Sequence, residues 1–129
     1  MTGVRRHILL TGGTSGIGLQ AACLLHQEGH RLTLSCRDGN GAEALARRLP
    51  GVNVPLCDLA DLTSVEQCAA ALLGAGDPID SLVLNAGLQY AGAATPRWSA
   101  QGFERTLAVN HLAHQALLQR LLPLLLKEI

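Results

Sequence analysis

The stretch TGGTSGIG, residues 11–18, follows the apolar run HILL at residues 7–10 and has glycine at positions 12, 13, 16 and 18. So bare a backbone after an apolar strand-like run fits the joint between a first strand and a first helix. A helix N-terminus there offers unpaired N–H groups and partial positive charge, and glycines let a diphosphate approach without meeting a Cβ. A glycine-rich turn also serves as a plain tight connection, so the loop alone leaves both readings open. Its spacing excludes one class outright. A P-loop needs Lys and then Ser or Thr after its last glycine, whereas Gly18 is followed by Leu19 and Gln20. The fingerprint GxGxxG is not met either, because the spacing is TGxxxGxG.

Outward from the loop the chain alternates. Apolar runs at residues 7–10, 31–36, 53–56 and 81–85 are short enough for buried strands. Helical spacing separates them at residues 17–27, 41–49 and 62–73, and a last long stretch runs from about 101 to 127. Gly29 stops the first helix, Pro50 and Gly51 the second, and residues 74–78 the third, with Asp61 or Thr63 able to cap the third at its start. Alternating strands and helices force parallel pairing with right-handed crossovers. The expectation is an α/β fold, a doubly wound parallel sheet of about four strands and four helices in one domain over residues 1–129.

Composition limits what that domain serves. Ten Lys and Arg balance ten Asp and Glu, which gives no field to hold nucleic acid or an anionic membrane. The apolar run near the start is too short for a signal peptide. The most apolar segment, residues 112–129, is broken by His114, Gln115, Gln119, Arg120 and Pro123, short of the roughly 20 clean residues of a membrane span. Cys23, Cys36, Cys57 and Cys68 form no CxxC pair and no metal-ligand spacing. The expectation is a soluble cytoplasmic protein with four reduced thiols.

Cofactor choice turns on SCRD, residues 35–38, at the end of the second strand. An acidic residue there accepts from the ribose 2′-hydroxyl of NAD, whereas a 2′-phosphate needs a cation. Cys36 takes the usual acidic position and Arg37 follows, a guanidinium able to meet a phosphate with two charge-assisted bonds. NADP is expected ahead of NAD. Arg37 could instead merely solvate the strand end, with Asp38 pairing with it or replacing it. Asp58, in CDL at residues 57–59, suits either an adenine contact or a simple cap before a helix.

Four ordered stretches, TGGTSGIG, CDL, LNAG at residues 84–87 and VNHLAH at residues 109–114, resemble the short-chain dehydrogenases/reductases. The last two look most similar to the branch with retinol dehydrogenases and protochlorophyllide reductases. The resemblance implies a sheet of order 3-2-1-4 continuing to further strands. It puts Gly12, Gly16 and Gly18 under the cofactor diphosphate, with Thr11, Ser15 and Ile17 making loop contacts. Asp58, with Leu59 beside it, would meet the adenine amino group. Asn85, Ala86 and Gly87 would pack the cofactor ribose and tie the central strands together. Asn110 would join a proton relay with Ser, Tyr and Lys, where its side chain and a local kink hold water. Mid-helix Asn is otherwise mildly unfavourable, because its side chain competes for backbone hydrogen bonds. His111 and His114, three apart on that helix, lack a third ligand at suitable spacing, and no metal is expected.

The family's carbonyl chemistry needs a Tyr with a Lys four residues later. This sequence has one tyrosine, Tyr90, with Ala94 four positions on, and one lysine, Lys127. Three readings follow: the NADP-binding N-terminal part of a carbonyl or alcohol oxidoreductase, a non-catalytic dinucleotide-binding module, or one half of a split enzyme. The chain alone is expected to be inactive. An open fourth strand bearing apolar residues and an apolar last helix would favour self-association.

Overall fold

The computed structural model describes residues 3–87 and 95–125. The elements run β1 (His7–Thr11), α1 (Gly16–Gln27), β2 (Arg31–Ser35), α2 (Gly39–Arg48), α3 (Leu62–Ala75), β3 (Ser81–Val83), α4 (Arg105–Leu107), a π turn (Ala108–Leu112) and α5 (Ala113–Leu125). β1 is buried at every position and lies at the centre, pairing parallel with β2 on one side and β3 on the other.

Side chains alternate across the pleat of β1, and that alternation splits the core in two. Ile8 and Leu10 pack with Leu32, Leu34, Ala22 of α1, and Leu45 and Leu49 at α2. Leu9 points the other way, to Val65, Cys68 and Ala69 of α3 and to Ala113, Leu117 and Leu121 of α5. Helices on both faces of a parallel sheet are the doubly wound architecture. Burying side chains such as Leu9 and Leu10 contributes about 1.5–3 kcal/mol each.

Three expectations need correction. The third expected strand, residues 53–56, lies beside β2 as the order 3-2-1-4 requires, yet it survives only as the isolated bridges Thr33↔Asn53 and Cys36↔Leu56. Four backbone bonds still join residues 53–57 to β2 and the Cys36 that follows it: Asn53 N to Leu32 O, Leu34 N to Asn53 O, Cys36 N to Pro55 O, and Cys57 N to Cys36 O. The rung between them is missing because Pro55 has no N–H to give Leu34. The fourth expected strand, residues 81–85, stops at Val83, because the amides of Asn85 and Ala86 turn to the Thr11 hydroxyl instead of a ladder. The last helix begins at Arg105 rather than near 101, capped by Glu104, whose carboxylate accepts from Thr106 N and Leu107 N at 2.9 and 3.0 Å. Those two bonds hold the Glu104 carboxyl below its ordinary range. The helix's expected end at Lys127 lies outside the described residues.

Other punctuation falls as the residues suggest. Asp61, not Thr63, caps α3, its Oδ1 accepting from Thr63 N at 3.0 Å, and Asp38 caps α2 through Gly41 N at 2.9 Å. Gly76 ends α3 at φ +74°. Among the described residues no helix is long and apolar enough to cross a membrane.

Candidate functional site

A cavity of about 500 Å³ opens at the carboxyl ends of the three strands, walled by Gly12 after β1, Ser35 to Arg37 after β2, Ala86 and Gly87 after β3, and Asp58 to Ala60. Ligands of open α/β sheets bind in this place, where the crossovers leave β1 in opposite directions.

The glycine loop is bare for steric reasons. A Cβ on Gly12 would stand 2.7 Å from Ala86 Cα, and one on Gly18 would collide with Gly12 O and lie 2.5 Å from Asn85 Nδ2. Gly16 has φ +57°, a conformation that side chains rarely adopt. Ser15 occupies the N-cap of α1, but its hydroxyl makes no capping bond, so the first N–H groups of that helix gain no side-chain partner from it. Ser15, Gly16 and Ile17 are exposed at the loop's outer rim, Ile17 to 83%. Thr11 is different. It is 0% exposed and lies behind the cavity wall, where its hydroxyl accepts from Asn85 N and Ala86 N at 3.1 and 3.0 Å. Asn85 Nδ2 donates to Gly12 O at 3.3 Å, so three hydrogen bonds tie Thr11 and Gly12 to the Asn85–Ala86–Gly87 turn.

Arg37 and Asp38 both line the cavity, but their ion pair is a loose 4.0 Å contact between exposed side chains. Asp38 Oδ1 is committed to the α2 cap, and only its Oδ2 lies toward the exposed Arg37 guanidinium. Asp58 also splits its roles. Its Oδ1 accepts from Ala60 N at 2.9 Å in a local turn and its own N–H donates to Ser64 Oγ, while the residue lines the cavity beside Leu59. The cap of α3 is Asp61, so Asp58 is not needed there; Gln101 Nε2, donating at 2.8 Å, holds the Asp61 carboxyl below its ordinary range.

Asn110 stands in the middle of the π turn, which is closed by Ala113 N bonding Ala108 O. Its Oδ1 lies 3.6 Å from where a Cβ on Gly87 would be, so the widened turn sets this side chain beside the end of the turn after β3. Single π turns of this kind are frequent at functional sites. His114 does not point toward His111 for a shared ion: its ring meets Thr11 Oγ1 and Asn110 O. Tyr90 and Lys127 lie outside the described residues.

Sequence reasoning overlooked several cavity residues. Arg105 is the most informative, since its Nε is buried, has no hydrogen-bond partner among the described residues, and belongs to a side chain on the cavity wall. The one hint was a cation in the otherwise apolar run after Glu104. Thr14, Gly41, Cys57 and Val109 line the cavity as well. A hydrogen bond to the Cys68 thiol, together with burial, pushes the Cys57 thiol above its ordinary range, which keeps it neutral in the wall. The four cysteines are free, and the described residues bring together no group of three or more His, Cys, Asp or Glu.

Comparison with known proteins agrees with this fold. Human retinol dehydrogenase 13 is 36% identical over 122 residues, covering 89% of this chain and 36% of its own length. Barley protochlorophyllide reductase A, a chloroplastic protein, is 39% identical over 120 residues, covering 89% of this chain and 31% of its own. The chain thus spans about a third of the length of these relatives. The Pseudomonas aeruginosa RhlG/NADP complex superposes with a TM-score of 0.76 at 31% identity, covering 92% of this chain and 47% of that one. The short chain dehydrogenase family model matches residues 6–129, and with it the chain belongs to the short-chain dehydrogenases, a family of NAD(P)-dependent oxidoreductases.

Proposed function

We propose that this chain is the NADP-binding part of a carbonyl or alcohol oxidoreductase. The observation that carries the reading is the cavity itself, where Gly12, which has no room for a Cβ, shares one concave wall with Thr14, Arg37 and Asp58. Gly12, Gly16 and Gly18 would admit the diphosphate at the start of α1. Arg37 would take the 2′-phosphate, Asp58 and Leu59 the adenine, and Asn85, Ala86 and Gly87 the ribose. Arg105 supplies a buried donor that lacks an acceptor, and leaving such a donor unpaired costs about 1–3 kcal/mol. A ligand acceptor there removes that cost. The resemblance to a protein solved with NADP supports the phosphorylated cofactor.

NADPH supplies a hydride when bound; the proton must come from a protein group. The 129 residues contain no Tyr followed four positions later by Lys, so we infer that those groups reach the site from polypeptide beyond these residues. β3 supports that inference. It is an edge strand, and Val83 and Leu84 are 38% and 39% exposed, a surface suited to further strands or to a second copy of the chain. Stopped-flow and steady-state assays of the 129-residue chain with NADPH and simple aldehydes and ketones should show no turnover. Turnover would place the proton donor within the chain and refute the assignment. A purely binding module would keep NADPH affinity and remain inactive after a segment with Tyr-x-x-x-Lys is supplied.

A further inference from the structure

Three groups surround the Thr11 hydroxyl: Asn85 N at 3.1 Å, Ala86 N at 3.0 Å and His114 Nε2 at 2.9 Å. Two of them are backbone N–H groups, which only donate. They occupy both lone pairs of the oxygen, and its single proton is left for His114. Nε2 must then be the bare nitrogen, and the imidazole proton sits on Nδ1, which faces the Asn110 carbonyl at 3.4 Å. The chain of bonds is directional throughout: amides of the turn after β3 to Thr11, Thr11 to His114, His114 to the π turn.

We propose that His114 is a positioning residue of the dinucleotide site, acting as the neutral Nδ1–H tautomer that fixes the Thr11 proton and thereby seats the Asn85–Ala86–Gly87 turn against the glycine loop. The assignment rests on the dinucleotide reading for its functional consequence and on geometry alone for its structural part. Both His114 and Thr11 are buried, at 5% and 0% exposure, so water does not substitute for either partner at low cost. Burial also lowers the imidazole's affinity for a proton, which agrees with a neutral ring. The turn lies close against the loop, since a Cβ on Gly12 would stand 2.7 Å from Ala86 Cα. Asn85 N also bonds the Val83 carbonyl at 3.1 Å, so if the hydroxyl proton rotated toward the amides it is Ala86 N–H that would lose its acceptor, and the wall made by Ala86 and Gly87 would shift with it. The same ring holds the π turn that presents Asn110, so one side chain sets two parts of the site.

The test uses the full chain. Nitrogen-15 spectra of ring-labelled protein should show His114 Nε2 unprotonated and Nδ1 protonated, with the Asn85 and Ala86 amides protected from solvent exchange. His114→Phe should deprotect those amides and weaken NADPH binding about fivefold to tenfold, the scale of one lost hydrogen bond. His114→Gln, whose amide oxygen can accept from Thr11, should recover most of the affinity. In a Thr11→Val background His114→Phe should have no further effect on binding, which a general packing role would not predict. A protonated Nε2, unchanged amides in His114→Phe, or additive losses in the double variant would overturn the assignment. Should His114→Phe fail to fold, the tautomer and exchange measured on the unsubstituted chain still decide. Should the unsubstituted chain ignore NADPH, the proposed function fails, while the spectra still decide the role of His114.

Discussion

Gly18 and Gly74 make a matched pair, since both lie inside helices, α1 and α3, and only one has neighbours. A Cβ on Gly74 meets nothing within 4 Å, so Gly74→Ala, in the last turn of α3, should gain part of the interior helical preference of Ala over Gly, at most about 0.8–1 kcal/mol. A Cβ on Gly18 collides with the Gly12 carbonyl and stands 2.5 Å from Asn85 Nδ2. The carbonyl is backbone and cannot swing aside, so the loop itself must move. Overpacking of this kind costs about 1–3 kcal/mol. Loss of the 3.3 Å bond from Asn85 Nδ2 to Gly12 O adds roughly 0.5–1 kcal/mol. Set against the helical gain, Gly18→Ala should destabilise by about 0.5–3 kcal/mol net, a fall of roughly 2–12 °C in melting temperature for a chain of this size. Melting followed by far-ultraviolet circular dichroism, with the two variants measured side by side, reads the difference directly. Gly18→Ala should also abolish NADPH binding at any temperature where it remains folded. Equal melting of the two variants would refute the claim that the loop is glycine because the turn after β3 fills the space.

Arg37→Ala should weaken NADPH by about 1.5–3 kcal/mol, the range for a hydrogen bond to a charged group, and leave NADH nearly unchanged; calorimetric titration checks it, and equal losses for both would remove Arg37 from the cofactor choice. Arg105→Met keeps much of the side-chain bulk while deleting the orphaned donor, so the ligand-free chain should hold or gain stability and lose affinity for NADPH by about 1–2 kcal/mol, read by melting with and without cofactor. Burial lowers the pKa of His114, so between its folded value and the ordinary value of about 6.5 the unfolded chain binds the proton more readily. Its contribution to stability is therefore complete above about pH 6.5 and is lost as pH falls through the folded value, and denaturant melts from pH 7.5 to 5 should show a decline that His114→Gln flattens.

Much of this architecture is legible in the residues because buried parallel strands write themselves as short apolar runs and the helices between them carry their own stops. Where reading of the elements fails, the hydrogen bonding of a single residue is responsible. Pro55 withholds one N–H and thins the third strand to bridges, and Thr11 draws two amides out of the ladder and ends β3 early. Neither effect has a pattern in hydrophobic periodicity. The glycine loop was legible because Gly12 and Gly18 lie where a Cβ would clash and Gly16 takes a positive φ. Arg105 and His114 were not, since their roles depend on residues distant in sequence: Arg105 lines the same cavity as Asp58 and Gly87, and His114 bonds Thr11. A single sequence shows the side chain and hides the neighbour.

Titration of the chain with NADPH and with NADH under the same conditions tests the central claim most directly. Saturable one-to-one binding of NADPH, at least tenfold tighter than NADH, is the result expected from a cavity whose second-strand wall offers Arg37 and commits Asp38 to a helix cap. Binding of neither nucleotide, or a preference for NADH, would contradict it.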